Sequence, residues 1–275
     1  MFASSMGGLR PVAELMTVNF ALLAMWKQVE LAAVEYEREG SRRGADLVLL
    51  SAGITDITVE GVLDPFEDSE KLIPLIEKVC RDRVGRLLDH IAANNPTAAV
   101  AVVGYFPMVS ERSSARRVLN AWLDVADVPS FFQPFVNNPL VRAVYFRKLF
   151  KNAIKRSKTW VRESDRNLRL AVEQANASAG RRFAVFVPSP LTEENAAESP
   201  ETMLFRMFKD GKVEDPLFRA RTAECKTVYK RLEQATGLKH SPRRCSLAGA
   251  GHPNKVGARL YAEAIISELR DILPT

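Results

Sequence analysis

The sequence predicts an α/β protein, a parallel sheet with helices packed on both faces. Three observations lead there. Short unbroken apolar runs occur at 47–50, 98–103 and 183–187, each suited to a strand buried on both faces. Segments with apolar residues at helical spacing alternate with these runs. Each run ends in small or polar residues: Ser51-Ala-Gly53, Gly104-Tyr-Phe-Pro107 and Pro188-Ser-Pro190. The carboxyl ends of parallel strands are where open α/β sheets take their ligands.

In chain order, the first ten residues, with Ser4, Ser5, Gly7 and Gly8, read as a loop. A helix is expected over 12–39, where Leu22, Trp26, Val29 and Val34 keep helical spacing and Gly40 and Gly44 close it. The first strand follows, then a loop over 61–70 rich in turn residues. The next helix runs over 74–94, since Pro74 is tolerated in a first turn, and Asn95-Pro96 breaks it. After the second strand, helices are expected over 165–179, 216–236 and 253–273, with the third strand between the first two. The 275 residues are read as a single domain, 1–275.

The stretch 108–162 is long for a connection and is read as a lid or insertion. Its second half holds eight basic residues and no acid between Arg142 and Arg162: Arg142, Arg147, Lys148, Lys151, Lys155, Arg156, Lys158 and Arg162. Aromatic residues, among them Tyr145, Phe146 and Phe150, are interleaved with them, and Phe131, Phe132 and Phe135 precede them. Contact of 142–162 with an anionic membrane surface or with phosphates fits this pattern. So do a lid over a ligand cleft and a solvated helix face whose aromatics pack on the sheet. Only this segment is basic and no nucleic-acid module accompanies it, so nucleic acid is not an expected partner.

Composition is that of an ordinary globular chain, with a net charge of +6. No apolar run is long enough to span a membrane, and the amino terminus lacks a secretory-signal layout. The compartment stays open. Cys80, Cys225 and Cys245 are spaced neither as a disulfide framework nor as a metal site. Cys225 and Cys245 can pair under oxidising conditions, but separate buried thiols are the expectation. No carboxylate or histidine cluster has metal-ligand spacing, no glycine-rich phosphate loop follows a strand, and the Gly-x-Ser-x-Gly elbow is absent. No metal or cofactor is expected.

Chemistry concentrates in two places. After the first strand, Gly53-Ile-Thr-Asp56 puts Thr55 and Asp56 at a carboxyl edge. Near the end, Ala248-Gly-Ala-Gly-His-Pro-Asn254 leads into a helix, with Pro253 suited to its first position and His252 at its entrance. Imidazole titrates near neutrality, which suits proton transfer. His90, late in a helix, and His240, in a charged turn, are expected to be structural or surface groups.

Gly53-Ile-Thr-Asp56, the strand ending Gly104-Tyr-Phe-Pro107, and Gly251-His-Pro-Asn254 with Gly257 together resemble the SGNH (GDSL-type) hydrolases, from about Gly44 onward. The resemblance implies a three-layer α/β/α, flavodoxin-like fold. It implies carboxylic-ester hydrolysis through a Ser-His acyl-enzyme, acting on a small ester or lipid. His252 would be the general base. Gly53, Thr55 and Gly8 (or Gly7) would belong to the oxyanion hole, and Asp56 and Asn254 would support it. Members of this family are often secreted.

Three departures bear on activity. Thr55 stands where the family has asparagine and offers a hydroxyl donor on a shorter, stiffer side chain. Gly249 stands where the family's aspartate precedes the histidine by three residues. No strand followed by Gly-Asp-Ser occurs, and Ser4 and Ser5 follow no apolar strand. Either the chain is an amino-terminally truncated member, or it is a degenerate one that binds an acyl or glycan ligand without cleaving it. Truncation is the expectation, because a lost first strand would leave the sheet without its central member.

Overall fold

The computed structural model describes residues 21–38, 45–125, 147–206, 213–237, 242–270 and 272–273. The chain divides into two compact units. The first draws on Met1–Phe106, Lys155–Pro190 and Leu260–Thr275, the second on Pro107–Ile154 and Leu191–Arg259.

The first unit is built on three parallel strands in the order β1 (Leu47–Leu50), β2 (Ala99–Val103) and β3 (Ala184–Val187). Leu47 pairs with Ala99, and Val100 with Ala184. Unbroken apolar runs thus became parallel strands, as expected. Burial on both faces holds for β2 and β3 but not for β1, whose Leu49 is 55 % exposed. β1 and β3 are both outer strands of the described sheet, so the difference lies in what covers β1 and not in its outer position.

Alternation along the strands sends Ala99, Ala101, Val185 and Val187 to one face. There they pack with Leu269, near the end of a helix α10 (Lys255–Leu269). Phe186 points the other way and lies under the guanidinium of Arg169, 4.4 Å from its ring centre. Arg169 belongs to the long helix α7 (Arg147–Ala179). Asn176 of that helix holds the start of β3, donating to Ala184 O at 2.9 Å and accepting the N–H groups of Phe183 and Ala184 at 3.0 Å.

The helix expected from Pro74 is present as α4 (Leu72–Ile76) and α5 (Val84–Asn94), joined through a π-helical stretch, Glu77–Arg83. Helix α1 (Ala21–Arg38) brings Trp26 onto His90, with ring centres 4.3 Å apart. His90 is therefore structural, as its place in the helix predicted.

Over 147–162 the stretch expected as a lid or insertion is helical. Those residues are the first half of α7, which is continuous past the expected start at 165. Residues 126–146 lie outside the described ones. The basic run is not uniformly solvated either. Arg156 is 3 % exposed and donates to Val62 O at 3.0 Å, Gly61 O at 2.6 Å and Asp68 O at 2.5 Å. Lys148, Lys151, Lys155 and Arg162 are exposed.

In the second unit, α6 (Ala115–Val125) and α8 (Phe218–Thr236) accompany irregular backbone around 191–206. Cys225, in α8, forms a disulfide with Cys245 in the short helix α9 (Arg243–Ser246). The expectation of separate thiols there is overturned; Cys80 alone is free and buried.

Candidate functional site

The carboxyl edge of the sheet in the first unit is polar, as the strand endings suggested. Gly53 adopts φ 120°, a region closed to most side chains, and a Cβ there would stand 3.1 Å from the Cys80 sulfur. This turn starts a single helical turn, α2 (Ile54–Ile57). The Tyr105 hydroxyl, just beyond β2, accepts the Ile54 N–H at 3.0 Å and so ties the ends of β1 and β2 together. Burial holds that phenol protonated well above its usual range, with the nearby Cys80 adding to the effect.

Thr55 is exposed on α2, so its hydroxyl faces solvent. Asp56 turns inward. Its side chain is 1 % exposed and pairs with Arg83 at 2.9 Å. Desolvation raises its pKa above the ordinary carboxylate value, and the Arg83 charge opposes that without cancelling it. The supporting role expected for Asp56 is a packing role. Gly8 lies outside the described residues.

Beside this turn lies a carboxylate that sequence reading did not single out. Asp165, on α7, rests against the Gly104 backbone at the end of β2. Its Oδ1 is buried without a hydrogen-bond partner. Burial pushes its carboxyl up to about 6, against the pull of Arg169. Tyr261 completes the group: its hydroxyl donates to Ser189 Oγ at 2.8 Å, beyond β3, and lies 3.2 Å from Gly104 O. Burial, followed by the Asp165 charge, has the Tyr261 phenol pushed up to about 12, while its bond to Ser189 acts the other way. Asp165 carries no motif around it, since a lone acid in an amphipathic helix looks like any solvated residue.

His252 belongs to the second unit. Two hydrogen bonds pin its backbone, Phe205 N–H donating to His252 O at 2.8 Å and His252 N–H to Gly249 O at 3.2 Å, and a third holds its neighbour, Gly251 N–H donating to Phe205 O at 2.9 Å. An isolated antiparallel bridge between Leu204 and Pro253 extends the arrangement. Pro253 is thus not the first helical residue. The helix begins at Lys255, and Asn254 caps it, its Oδ1 accepting the N–H groups of Val256 at 3.0 Å and Gly257 at 3.2 Å. The support expected from Asn254 is this cap, which fixes the residue two places after His252.

The imidazole is exposed at an open cavity of about 280 Å³ lined by Phe205, Asp215, Pro216, Leu217, Ala248 and Gly249, with Arg221 beside them. Asp215 is the acid of this cavity. Its side chain is 4 % exposed and paired with Arg221, and its Oδ1 accepts the Leu217 N–H at 2.9 Å, starting α8. Sequence reading began a helix at Pro216 and did not single out Asp215, which no spacing links to His252.

The residues of the expected site therefore fall in two groups: Gly53, Thr55 and Asp56 in the first unit, His252 and Asn254 in the second. Among the described residues no cluster of histidine, cysteine and carboxylates is arranged to hold a metal ion. No family model, no curated protein and no solved structure matches this chain.

Proposed function

We propose that this chain is a carboxylic-ester hydrolase of the SGNH type, with His252 as the general base and a small ester or lipid as substrate. The observation that carries the reading is the placement of His252. A histidine whose main chain is pinned by two hydrogen bonds, and its neighbour's by a third, presents its ring at an open, largely apolar cavity. That is what a proton-transferring group beside an acyl site requires. The parallel strands with polar carboxyl ends agree with the same class.

In this chemistry a serine Oγ attacks the ester carbonyl as His252 takes its proton. The imidazolium then gives that proton to the departing alcohol, leaving an acyl-serine that water, deprotonated by the same ring, cleaves to acid. The proposal gives Thr55 the part of an oxyanion donor. Among the described residues lining the cavity there is no serine, threonine or cysteine, and the proposal places the nucleophile outside them.

The same observation favours a second reading, a protein that binds an acyl or glycan ligand and leaves it intact. A serine-directed fluorophosphonate probe separates the two. Hydrolysis predicts one covalent adduct, mapped by mass spectrometry to a serine, and strongly slowed in His252→Ala. No adduct at millimolar probe, with the protein folded, overturns the hydrolase reading in favour of binding.

A further inference from the structure

Gly249 is surrounded in an informative way. A Cβ on it would meet the Asp215 carboxylate, standing 2.7 Å from Cγ, and would lie 2.8 Å from Arg221 Nη1. The volume that a side chain at 249 would fill is therefore already filled by a carboxylate from a distant part of the chain. The Gly249 carbonyl in turn accepts the His252 N–H. Acid, glycine and histidine line one small cavity.

The carboxylate still has capacity there. An ionised carboxylate offers about four lone-pair sites. In Asp215 one oxygen serves the Leu217 N–H and the other Arg221, so each oxygen keeps a second site. Among the described residues, the charged or titratable groups lining the cavity besides His252 are Asp215 and Arg221. The position is also well fixed. Asp215 starts α8, the Cys225–Cys245 disulfide ties α8 to α9, and α9 leads directly into the loop that carries Gly249 and His252.

We propose that Asp215 is the positioning residue for His252, its carboxylate accepting a ring N–H and so selecting the ring's orientation and tautomer. This rests on the proposed role of His252 as base, which needs one ring nitrogen left free as acceptor. In proteins that activate a nucleophile through histidine, a third group commonly orients the imidazole. Here that group comes from the start of another helix and acts over a glycine.

The experiment is long-range 15N–1H NMR of the His252 ring, at a pH where the ring is neutral, in the oxidised full-length protein. His252→Ala supplies the assignment. The wild type is expected to show one dominant tautomer, and Asp215→Asn a mixture. The double variant Asp215→Ala/Gly249→Asp, which returns a carboxylate to the same volume from the other chain segment, is expected to restore the single tautomer. A mixture already present in the wild type overturns the proposal even if Asp215→Asn does not fold, and so does a tautomer unchanged in folded Asp215→Asn. Ester hydrolysis is read separately. An inactive protein with this tautomer pattern would sink the hydrolase reading and leave the positioning role of Asp215 standing.

Discussion

Arg83 donates to Asp56 Oδ1 at 2.9 Å, while Asp56 Oδ2 is buried with no hydrogen-bond partner. The pair anchors the turn that follows β1 from beneath, leaving Thr55 on the outside. Removing the cation strands a buried charge, whereas neutralising both partners does not. Arg83→Gln should therefore lower unfolding free energy by about 2 kcal/mol, measured by urea denaturation. Arg83→Gln/Asp56→Asn should recover most of that loss, and equal losses in both would contradict the account of the pair.

Asp165 gives a signed pH effect. Burial raises its folded-state pKa to about 6, above the ordinary value of an aspartate carboxyl, so the native state holds the proton more tightly than the unfolded chain. Stability from this group is complete below the unfolded value and is lost as pH rises through about 6. Asp165→Asn should match the wild type at pH ~3.5 and exceed it at pH ~8 by about 1 kcal/mol, allowing for solvent screening at a partly open site. Thermal melts at the two pH values check it. A variant no more stable at high pH would show that the carboxylate is satisfied.

The Cys225–Cys245 disulfide closes a loop with a sequence separation of 20. Chain-entropy reasoning assigns such a loop about 3 kcal/mol. Reduction, or Cys225→Ser/Cys245→Ser, should lower Tm by several degrees and speed proteolysis within 217–252. A Tm independent of reductant would contradict this.

Arg156 predicts a contrast within the basic run. Arg156→Met leaves the carbonyls of Gly61, Val62 and Asp68 without its guanidinium and should cost about 3 kcal/mol. Lys155→Met, on the exposed face one residue away, should change stability by less than about 0.5 kcal/mol. The two are compared by denaturant titration.

What was legible in the sequence follows from range of interaction. Leu47–Leu50 and the later runs declare strands because β-branched and aliphatic residues in unbroken series suit the inside of a parallel sheet. The Gly53 turn and the His252 loop were legible because glycine and a proline-flanked histidine are local signals. Leu49's exposure was not, since what covers a strand's face depends on neighbours far away in the chain. Asp215 and Asp165 were missed for the same reason. Their significance lies in which backbone they lie against, Gly249 and Gly104, and no nearby residue announces it. Arg156 looked like its neighbours in a charge run, although its helix position turns it inward.

The central claim is that His252 acts as a base on an ester. Steady-state hydrolysis of p-nitrophenyl acetate, butyrate and octanoate by the oxidised wild type and His252→Ala tests it most directly. The account predicts wild-type rates above the buffer blank and a fall of about 100-fold or more in kcat/KM for His252→Ala. Equal rates for the two proteins, both at the blank, would contradict it.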